Sequence, residues 1–573
     1  MPETPHRKRK VPGTAPEPGE YTLVATAKDK PALKCGICEE ILPLRSNVAI
    51  ADEYARLSDY LIPETKIACP NVACAMLGSP VATNYQKFGT TPSGTPRYRC
   101  KTCMKTFAVG GKSTKRQRQT HKNIEIFRLL VTQNSISSIV ENTDLDKKTV
   151  YGKVNFLHRQ SVLFAGDRER QLGHGFELKK MYVATDRQSL IVNWSSRKDR
   201  KTVILNAIAT ADLESGYVFG MHLNFDEKLN QDLVEDHAKT ILDEAYPQPF
   251  RHYARVWLKS DYTEAIATST KGKKHAKKVS AIVTGDDGLT ADIKAEYETA
   301  IVRDDIEESD EKDDDVNLPV QGMQLHEQYT MYGHFKLMAE MFREAPKVRF
   351  YMDQDSGIRA AFMNAFHQRV RERTADAWYV KVLKDATIDE KIKSVRESMK
   401  KFNAYKASNP DLEEWEVELL MVKEEMKKLE PFGKWDDRWL THPFPNRSES
   451  DKRVCWLTNL NKGTFNEPGP GDYVEDQVAR LYKKATLHAV DRFFMKVRRK
   501  VRYAERGIPS GAADRRIWHG YSPYKPHNLT KALEIYRVYY NYCDVGEDGQ
   551  TPAMRLGLAK GKIRVEDIVY FVP

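Results

Sequence analysis

Six of the eight cysteines lie in short pairs near the N-terminus, at a spacing that suits metal ligands. The pairs are Cys35 and Cys38, Cys69 and Cys74, and Cys100 and Cys103. Two such pairs can turn back onto one ion and complete the four-thiolate tetrahedron of structural zinc. We assign the second and third pairs to one zinc ribbon. The first pair could form a second zinc site or exchange with the others, and the isolated Cys455 and Cys543 are expected to be packed thiols.

Three acidic residues stand where phosphodiester chemistry would need them. Asp186 follows a β-branched run, Asp353 ends the run VRFYM before a turn, and Asp491 lies in the cation-rich segment HAVDRFF. Two divalent ions that stabilise the attacking and leaving oxygens need carboxylates that converge from different elements. Such oxygen ligands suit Mg²⁺ or Mn²⁺. These three aspartates are therefore candidates for the ligands of catalytic metal.

The order of predicted elements can bring two of these acids together. From Lys179, the runs KKMYVATDRQ, TVILNAIATADLES and YVFGMHLNF predict a three-stranded meander. A helix follows, then an irregular stretch at about 245–320, a second helix and the strand that ends at Asp353. This is the order of a ribonuclease-H-like core, whose first and fourth strands are neighbours. Asp186 and Asp353 should therefore meet at one edge of the sheet.

A DNA-binding unit is predicted before this core. HKNIEIFRLLVTQ, SISSIVENTD and KKTVYGKVNFLHRQ predict three helices with a break at Leu145-Asp146, as in a helix-turn-helix whose last helix enters the major groove. Seven Lys/Arg and no acid lie between Lys101 and Asn123. A second basic cluster surrounds residues 496–506. The residues expected to contact DNA are Lys115, Arg116, Arg118, Lys147, Lys148, Lys153, Arg498 and Arg499.

Several segments together resemble bacterial insertion-sequence transposases of the acidic-triad type, with Mutator-like features. CPNVAC with RYRCKTCMKTF resembles the N-terminal zinc ribbon of such families, and DQDSGIRAAF resembles their Mutator-like second-acid segment. LHAVDRFFMKVRRKVRYAER resembles the third-acid helix, and YRVYYNYC with TPAMRLGLAKG resembles the end of many insertion-sequence cores. These matches span most of residues 69–573, apart from the insertions.

The resemblance implies a DNA transposase that binds element ends, cuts DNA in a Mg²⁺-dependent reaction and joins the freed 3′-hydroxyl to target DNA. It further implies that Asp186, Asp353 and Asp491 are the metal-binding triad. The expected partners are double-stranded DNA and further copies of the chain, in a bacterial, nucleoid-associated cytoplasmic setting. The runner-up is a domesticated relative that binds DNA without transposing. An RNA-directed nuclease shares the core chemistry, but the zinc ribbon and the helix-turn-helix favour duplex DNA.

The sequence departs from the family pattern at the third acid, which is usually Glu. The rivals to Asp491 are therefore Glu475, Asp476 and Glu505. Asp355 competes with Asp353 because an acid directly before a small residue and Gly also occurs in integrase-type sequences. Asp261, in VWLKSDY, is a weaker rival at another predicted strand end.

Composition bounds the remaining function classes. The 573 residues are 40% hydrophobic and 30% charged, with a net charge of +11. No apolar stretch is long enough for a membrane helix, and the basic N-terminus lacks the apolar run of a secretory signal, so we expect no membrane partner. Nine acids and one Lys fall within 304–315.

We therefore expect a multidomain α/β protein with a zinc ribbon, a helix-turn-helix and a ribonuclease-H-like catalytic core with large insertions. The predicted units are a disordered basic tail (1–30), a zinc-binding domain (31–112), a helix-turn-helix domain (113–175), the first part of the core (176–380, with the insertion at about 245–320), a helical insertion (381–450) and the second part of the core (451–573).

Overall fold

The structure is a computed structural model that describes most of the chain between residues 21 and 572. The described residues are 21–27, 30–35, 41–63, 67–79, 81–92, 95–109, 113–114, 117–193, 202–262, 293, 321–382, 387–432, 437–446, 448–459, 473–505, 508–509, 517–518, 523 and 525–572. The predicted tail up to residue 20, the acidic segment 304–315, Cys38, Lys115 and Arg116 lie outside them.

Two small antiparallel sheets and a helix form the N-terminal part. They are β1 (Tyr21–Ala27), β2 (Lys30–Cys35), β3 (Ile41–Pro43), α1 (Asn47–Ser58), β4 (Tyr85–Thr90), β5 (Pro96–Cys100) and β6 (Thr106–Ala108). The prediction of a disordered tail over 1–30 is wrong for residues 21–27. The β-branched run YTLVATA pairs along its length with KPALKC, which satisfies its backbone groups.

Three helices follow where the sequence predicts them: α2 (Asn123–Leu130), α3 (Ile136–Thr143) and α4 (Lys147–Glu169). The turn between α3 and α4 depends on Asp144 and Asp146. Asp144 has a φ of 51°, which reverses the chain. The Asp146 carboxylate accepts the Thr149 N–H at 2.9 Å and so caps α4.

Strands and helices then alternate. They are β7 (Met181–Asn193), β8 (Thr202–Asp212), β9 (Val218–Leu223), β10 (Phe225–Asn230), α5 (Gln231–Thr240), β11 (Gln321–Gln324), α6 (Glu327–Met341), β12 (Val348–Asp353), α7 (Ser356–Arg371) and β13 (Ala375–Val382). The antiparallel meander of β7, β8 and β9 confirms the three predicted strands. β10 pairs with β11 in a separate ladder.

The C-terminal part adds helices and three further strands to the sheet. Its elements are α8 (Ile388–Ser408), α9 (Glu414–Met426), β14 (Glu430–Phe432), β15 (Asp437–Thr441), β16 (Lys452–Trp456), α10 (Glu475–Lys484), α11 (His488–Lys500), β17 (Ile508–Pro509), β18 (Ile517–Trp518), α12 (Pro526–Tyr542), α13 (Pro552–Leu556) and α14 (Val565–Val569). The predicted helical insertion at 381–450 contains α8 and α9, and it also contains the strands β14 and β15. β15 joins the sheet beside β16, where it buries Trp439 and Leu440.

Eight strands form one mixed sheet in the order β14-β15-β16-β13-β12-β7-β8-β9. β12 lies at its centre and runs parallel to both β7 and β13, whereas the other neighbours are antiparallel. Strands covered on both faces are expected to be apolar throughout, and the central strands are almost entirely buried.

A different helix layer covers each face of the sheet. Phe350 of β12 contacts Phe335 of α6 and Phe362 of α7, with ring centroids 5.6 and 5.2 Å apart. On the other face, the Tyr351 hydroxyl donates to the carbonyl of Leu481 in α10 at 3.0 Å. Helix α11 follows α10 and packs against β7 and β8.

The three helices α2, α3 and α4 share one contiguous hydrophobic core with the sheet and the C-terminal helices. α4 packs against α12 and α14, and α2 also contacts α14. The cysteine-rich sheet of β4, β5 and β6 has a small core of its own. Among the described helices, none combines the length and the apolar character needed to cross a bilayer.

Candidate functional site

Asp186 and Asp353 lie at neighbouring positions on adjacent parallel strands. Met352 of β12 pairs with Thr185 of β7, and Asp353 is the next residue of β12. Neighbouring strands are about 4.8 Å apart, and side chains at the same level of two parallel strands project from the same face. Asp186 is buried, whereas Asp353 is half-buried at the end of its strand. The structure therefore brings the first two predicted acids together.

The face around Asp186 is lined by small side chains. Ala184 precedes it on the same face, and Ala209 lies directly opposite on β8. The Asp186 Oδ1 accepts the backbone N–H of Arg187 at 2.7 Å. The backbone N–H of Arg187 thus orients one carboxylate oxygen of Asp186.

Arg187 projects to the other face and joins two helix N-termini to β7. Its guanidinium donates to Glu327 at the start of α6 and to Asp355 before α7. Burial alone would lower the pKa of Arg187, but the two carboxylates raise it above its ordinary value. Asp355 also caps α7, since its Oδ1 accepts the Ile358 N–H at 3.0 Å. Asp355, the rival to Asp353, is thus engaged in holding the turn that follows β12.

The third predicted acid lies on a helix that packs against the strand of the first. Asp491 is exposed in the first turn of α11, which packs against β7 and β8. Within the described part of the chain, Asp186, Asp353 and Asp491 do not form a group with oxygens all within 4.8 Å. The structure therefore places two acids at neighbouring positions of adjacent strands and the third on a helix that packs against one of these strands.

The rival acids contact other partners. Glu475 and Asp476, at the start of α10, pair with Lys423 of α9. Glu505 pairs with Arg502 at 2.6 Å. These carboxylates hold local structure together.

Asp261 is also occupied by a structural contact. Its Oδ1 lies 2.6 Å from the Arg251 guanidinium, and its Oδ2 accepts the Leu258 N–H at 2.8 Å. Asp261 follows no strand of the eight-stranded sheet, so the expectation of a strand-end acid there is wrong.

Four cysteines converge into a metal-binding geometry. The Sγ atoms of Cys69, Cys74, Cys100 and Cys103 all lie within 4.8 Å of one another. Cys69 and Cys103 are 3.5 Å apart, and Cys74 and Cys100 are 3.9 Å apart. A tetrahedral zinc with Zn–S bonds of about 2.3 Å requires sulfur atoms about 3.8 Å apart. The four thiols can therefore bind a metal ion such as zinc.

Local structure prepares these thiols. Cys100 ends β5, and Met104, with a φ of 61°, turns the chain so that its N–H reaches the Cys100 carbonyl at 2.9 Å. The Lys105 backbone N–H lowers the pKa of Cys103 to about 6, which favours the thiolate that binds metal. Cys35 ends β2, and its side chain lies outside the described residues. Cys455 and Cys543 are both buried, in agreement with the prediction that they are packed thiols.

The predicted DNA contacts divide into exposed and buried residues. Lys147 and Lys148 are exposed at the N-terminus of α4, and Arg118 is exposed before α2. Arg499 is exposed and Arg498 half-buried in the last turn of α11.

The prediction that Lys153 contacts DNA is wrong. Its side chain is buried, and its Nζ donates to the carbonyls of Arg118 at 2.7 Å and Gln119 at 3.0 Å. Burial lowers the pKa of Lys153. The residue lies on the inward stripe of α4 with Val150, Val154 and Leu157, so it fastens the preceding segment to the helix.

Sequence reasoning missed two residues beside Asp186. Arg187 and Gln188 follow it directly in ATDRQSL. The alternation of β7 could have indicated that Gln188 shares the face of Asp186, but the charge partners of Arg187 are 140 and 168 residues away in the chain. No protein-family model matches this chain, and no curated protein matches it either.

Proposed function

We propose that this protein is a metal-dependent DNA transposase with a ribonuclease-H-like core. One observation carries the proposal: Asp186 and Asp353 stand level on adjacent parallel strands. The strand order β9-β8-β7-β12-β13, with β12 parallel to both neighbours, supports the same core.

The two carboxylates are suited to hold Mg²⁺ or Mn²⁺, because divalent hard cations prefer oxygen ligands. Metal held there would stabilise charge on the scissile phosphate and activate the attacking oxygen. Asp491 would contribute the third carboxylate from α11. Arg187 engages Asp355 in an ion pair, so we assign the second metal-binding carboxylate to Asp353.

Duplex DNA fits the N-terminal part of the chain. The α3–turn–α4 arrangement has a three-residue connection, and exposed Lys147 and Lys148 stand at the N-terminus of α4. Helix N-termini and lysines both attract phosphate, and the second helix of such a pair enters the major groove.

Plasmid nicking tests this function. The full chain is incubated with supercoiled plasmid and Mg²⁺ or Mn²⁺, beside Asp186→Asn, Asp353→Asn and the exposed control Asp236→Asn. We expect each of the first two changes to slow nicking at least about a hundred-fold, since metal-bound charge stabilisation contributes several kcal/mol. The unfolding temperature and the plasmid affinity of all three variants should equal those of the parent.

Two results would oppose the proposal in different ways. Unchanged nicking by both aspartate variants would mean that these carboxylates are not the metal site. DNA binding without any cleavage by the parent would favour the domesticated DNA-binding protein instead.

A further inference from the structure

We propose that Gln188 binds the edge of a DNA base next to the scissile phosphate. This contact would add base recognition to the site of the acid pair. This inference rests on the proposed function, because it assigns Gln188 to the same site.

Gln188 occupies the face of the sheet that carries the acids. It follows Asp186 by two residues on β7, which places it about 6.6 Å further along the strand on the same side. Across the ladder it pairs with Ala207, whose methyl group offers no hydrogen bond. On the other side β12 has already ended at Asp353, so no β12 residue stands level with Gln188. The carboxamide thus projects just past the acid pair.

The Gln188 side chain is buried without a partner. It is only 5% exposed, and among the described residues neither its Oε1 nor its Nε2 has a hydrogen-bond partner. A buried polar group that lacks hydrogen bonds destabilises the folded state. Gln160, by contrast, is also buried but donates to the Phe571 carbonyl at 2.8 Å. Gln188 therefore has the features of a group that awaits a ligand.

The chemistry of the carboxamide selects the ligand. Gln188 presents an acceptor and a donor side by side, whereas a phosphate oxygen would satisfy only the donor. A base edge offers both, and adenine is the base that Gln contacts with two hydrogen bonds. A base that flanks the scissile phosphate would lie about one nucleotide from the acids, which matches the offset of Gln188 along β7. We assign an adenine edge to this position.

The test compares Gln188→Met with Gln231→Met. Methionine keeps the side-chain length but removes both polar ends. Gln231 is a matched control, because it is buried with an unpartnered Nε2 and lies at the start of α5, outside the eight-stranded sheet. The measurements are thermal unfolding, plasmid nicking with Mn²⁺, and affinity for single-stranded oligonucleotides of adenine, of thymine and of abasic sites in Ca²⁺.

We expect Gln188→Met to unfold at the parental temperature or above it, because it removes an unpaired buried amide. Nicking should fall at least ten-fold, and affinity for the adenine oligonucleotide should fall while affinity for the abasic one stays unchanged. Gln231→Met should leave nicking and affinity at the parental values. If Gln188 had a purely structural role, its replacement would instead lower the unfolding temperature.

Two results for Gln188→Met overturn the inference. Parental nicking and affinity in Gln188→Met would exclude a DNA contact, and an equal loss on abasic DNA would indicate a phosphate contact instead of a base contact. If Asp186→Asn still nicks, the proposed function fails, and the oligonucleotide affinities then decide the role of Gln188 by themselves. A parent that neither nicks nor binds DNA would remove both proposals.

Discussion

At the residue scale, the position of the acid pair depends on a neighbour that does not face it. Arg187 links β7 to the starts of α6 and α7 through Glu327 and Asp355, whose side chains are only 10% and 5% exposed. Because Asp355 also caps α7, the same ion pair fixes the turn that immediately follows Asp353. A charge network on one face of the sheet thus orders a carboxylate on the other.

Replacing Arg187 with Met should therefore lower the free energy of unfolding. It leaves two largely buried carboxylates without their cation, and removal of one partner of a buried ion pair lowers the free energy of unfolding by about 3 kcal/mol. Urea denaturation measures this loss. The control is Lys228→Met, which breaks the exposed pair with Asp59 and should cost less than about 1 kcal/mol. Equal effects of the two substitutions would show that the Arg187 network does not order the site.

At the element scale, α4 has an outward and an inward set of lysines. Lys147 and Lys148 are exposed in its first turn, whereas Lys153 holds the carbonyls of Arg118 and Gln119. Cations that contact phosphate release counterions from DNA, so their loss flattens the salt dependence of binding. Removal of Lys147 or Lys148 should therefore change the salt dependence of DNA binding, whereas removal of Lys153 should change the stability of the fold.

We expect Lys147→Ala and Lys148→Ala each to reduce the slope of log affinity against log salt by about 1. Lys153→Met should instead leave this slope unchanged and lower the unfolding temperature, because two carbonyls lose their donor. Fluorescence anisotropy of labelled duplex DNA at several salt concentrations, beside thermal unfolding, distinguishes these effects. A smaller slope of log affinity against log salt for Lys153→Met would indicate that Lys153 does contact DNA.

Local sequence patterns predict most of the helices and strands well, and contacts between distant segments account for the wrong predictions. The runs that form β7, β12, α2, α3 and α4 carry clear periodicity, and each is observed close to its predicted place. The charge of Lys153 favours a DNA contact, but its spacing from Val150 and Leu157 places it on the buried stripe of α4. The ion pairs of Asp355 and the pairing of β15 with β16 join distant segments, and no local pattern encodes them.

At the scale of the whole molecule, one core joins the predicted DNA-binding helices to the sheet. Val150 and Leu157 of α4, Val183 of β7 and Val538 of α12 belong to the same contiguous apolar cluster. Composition and periodicity showed which residues are apolar but not that these segments would share an interior. DNA bound at α4 would consequently act on α12, which also packs against β9 of the same sheet.

The same interior contains imidazoles that make stability depend on pH. His334 lies between the Thr210 hydroxyl at 2.7 Å and His222 at 2.8 Å. His442 accepts the Phe444 N–H at Nδ1, and its Nε2 lies 3.2 Å from the Lys483 carbonyl, so the ring is held in its neutral form. Burial lowers the pKa of both His334 and His442 to about 3.

These shifts predict acid sensitivity well above the range of the carboxylates. In the unfolded chain each ring takes up a proton as the pH falls below about 6.5, whereas in the folded protein it stays neutral until about pH 3. The unfolded state thus binds more protons across this window, and each ring should cost about 2 kcal/mol of stability between pH 6.5 and pH 5. Urea denaturation at several pH values measures the slope, and His442→Gln should reduce it by about one proton. A free energy of unfolding that does not change between pH 6.5 and pH 5 would mean that these histidines are not neutral and buried in the folded protein.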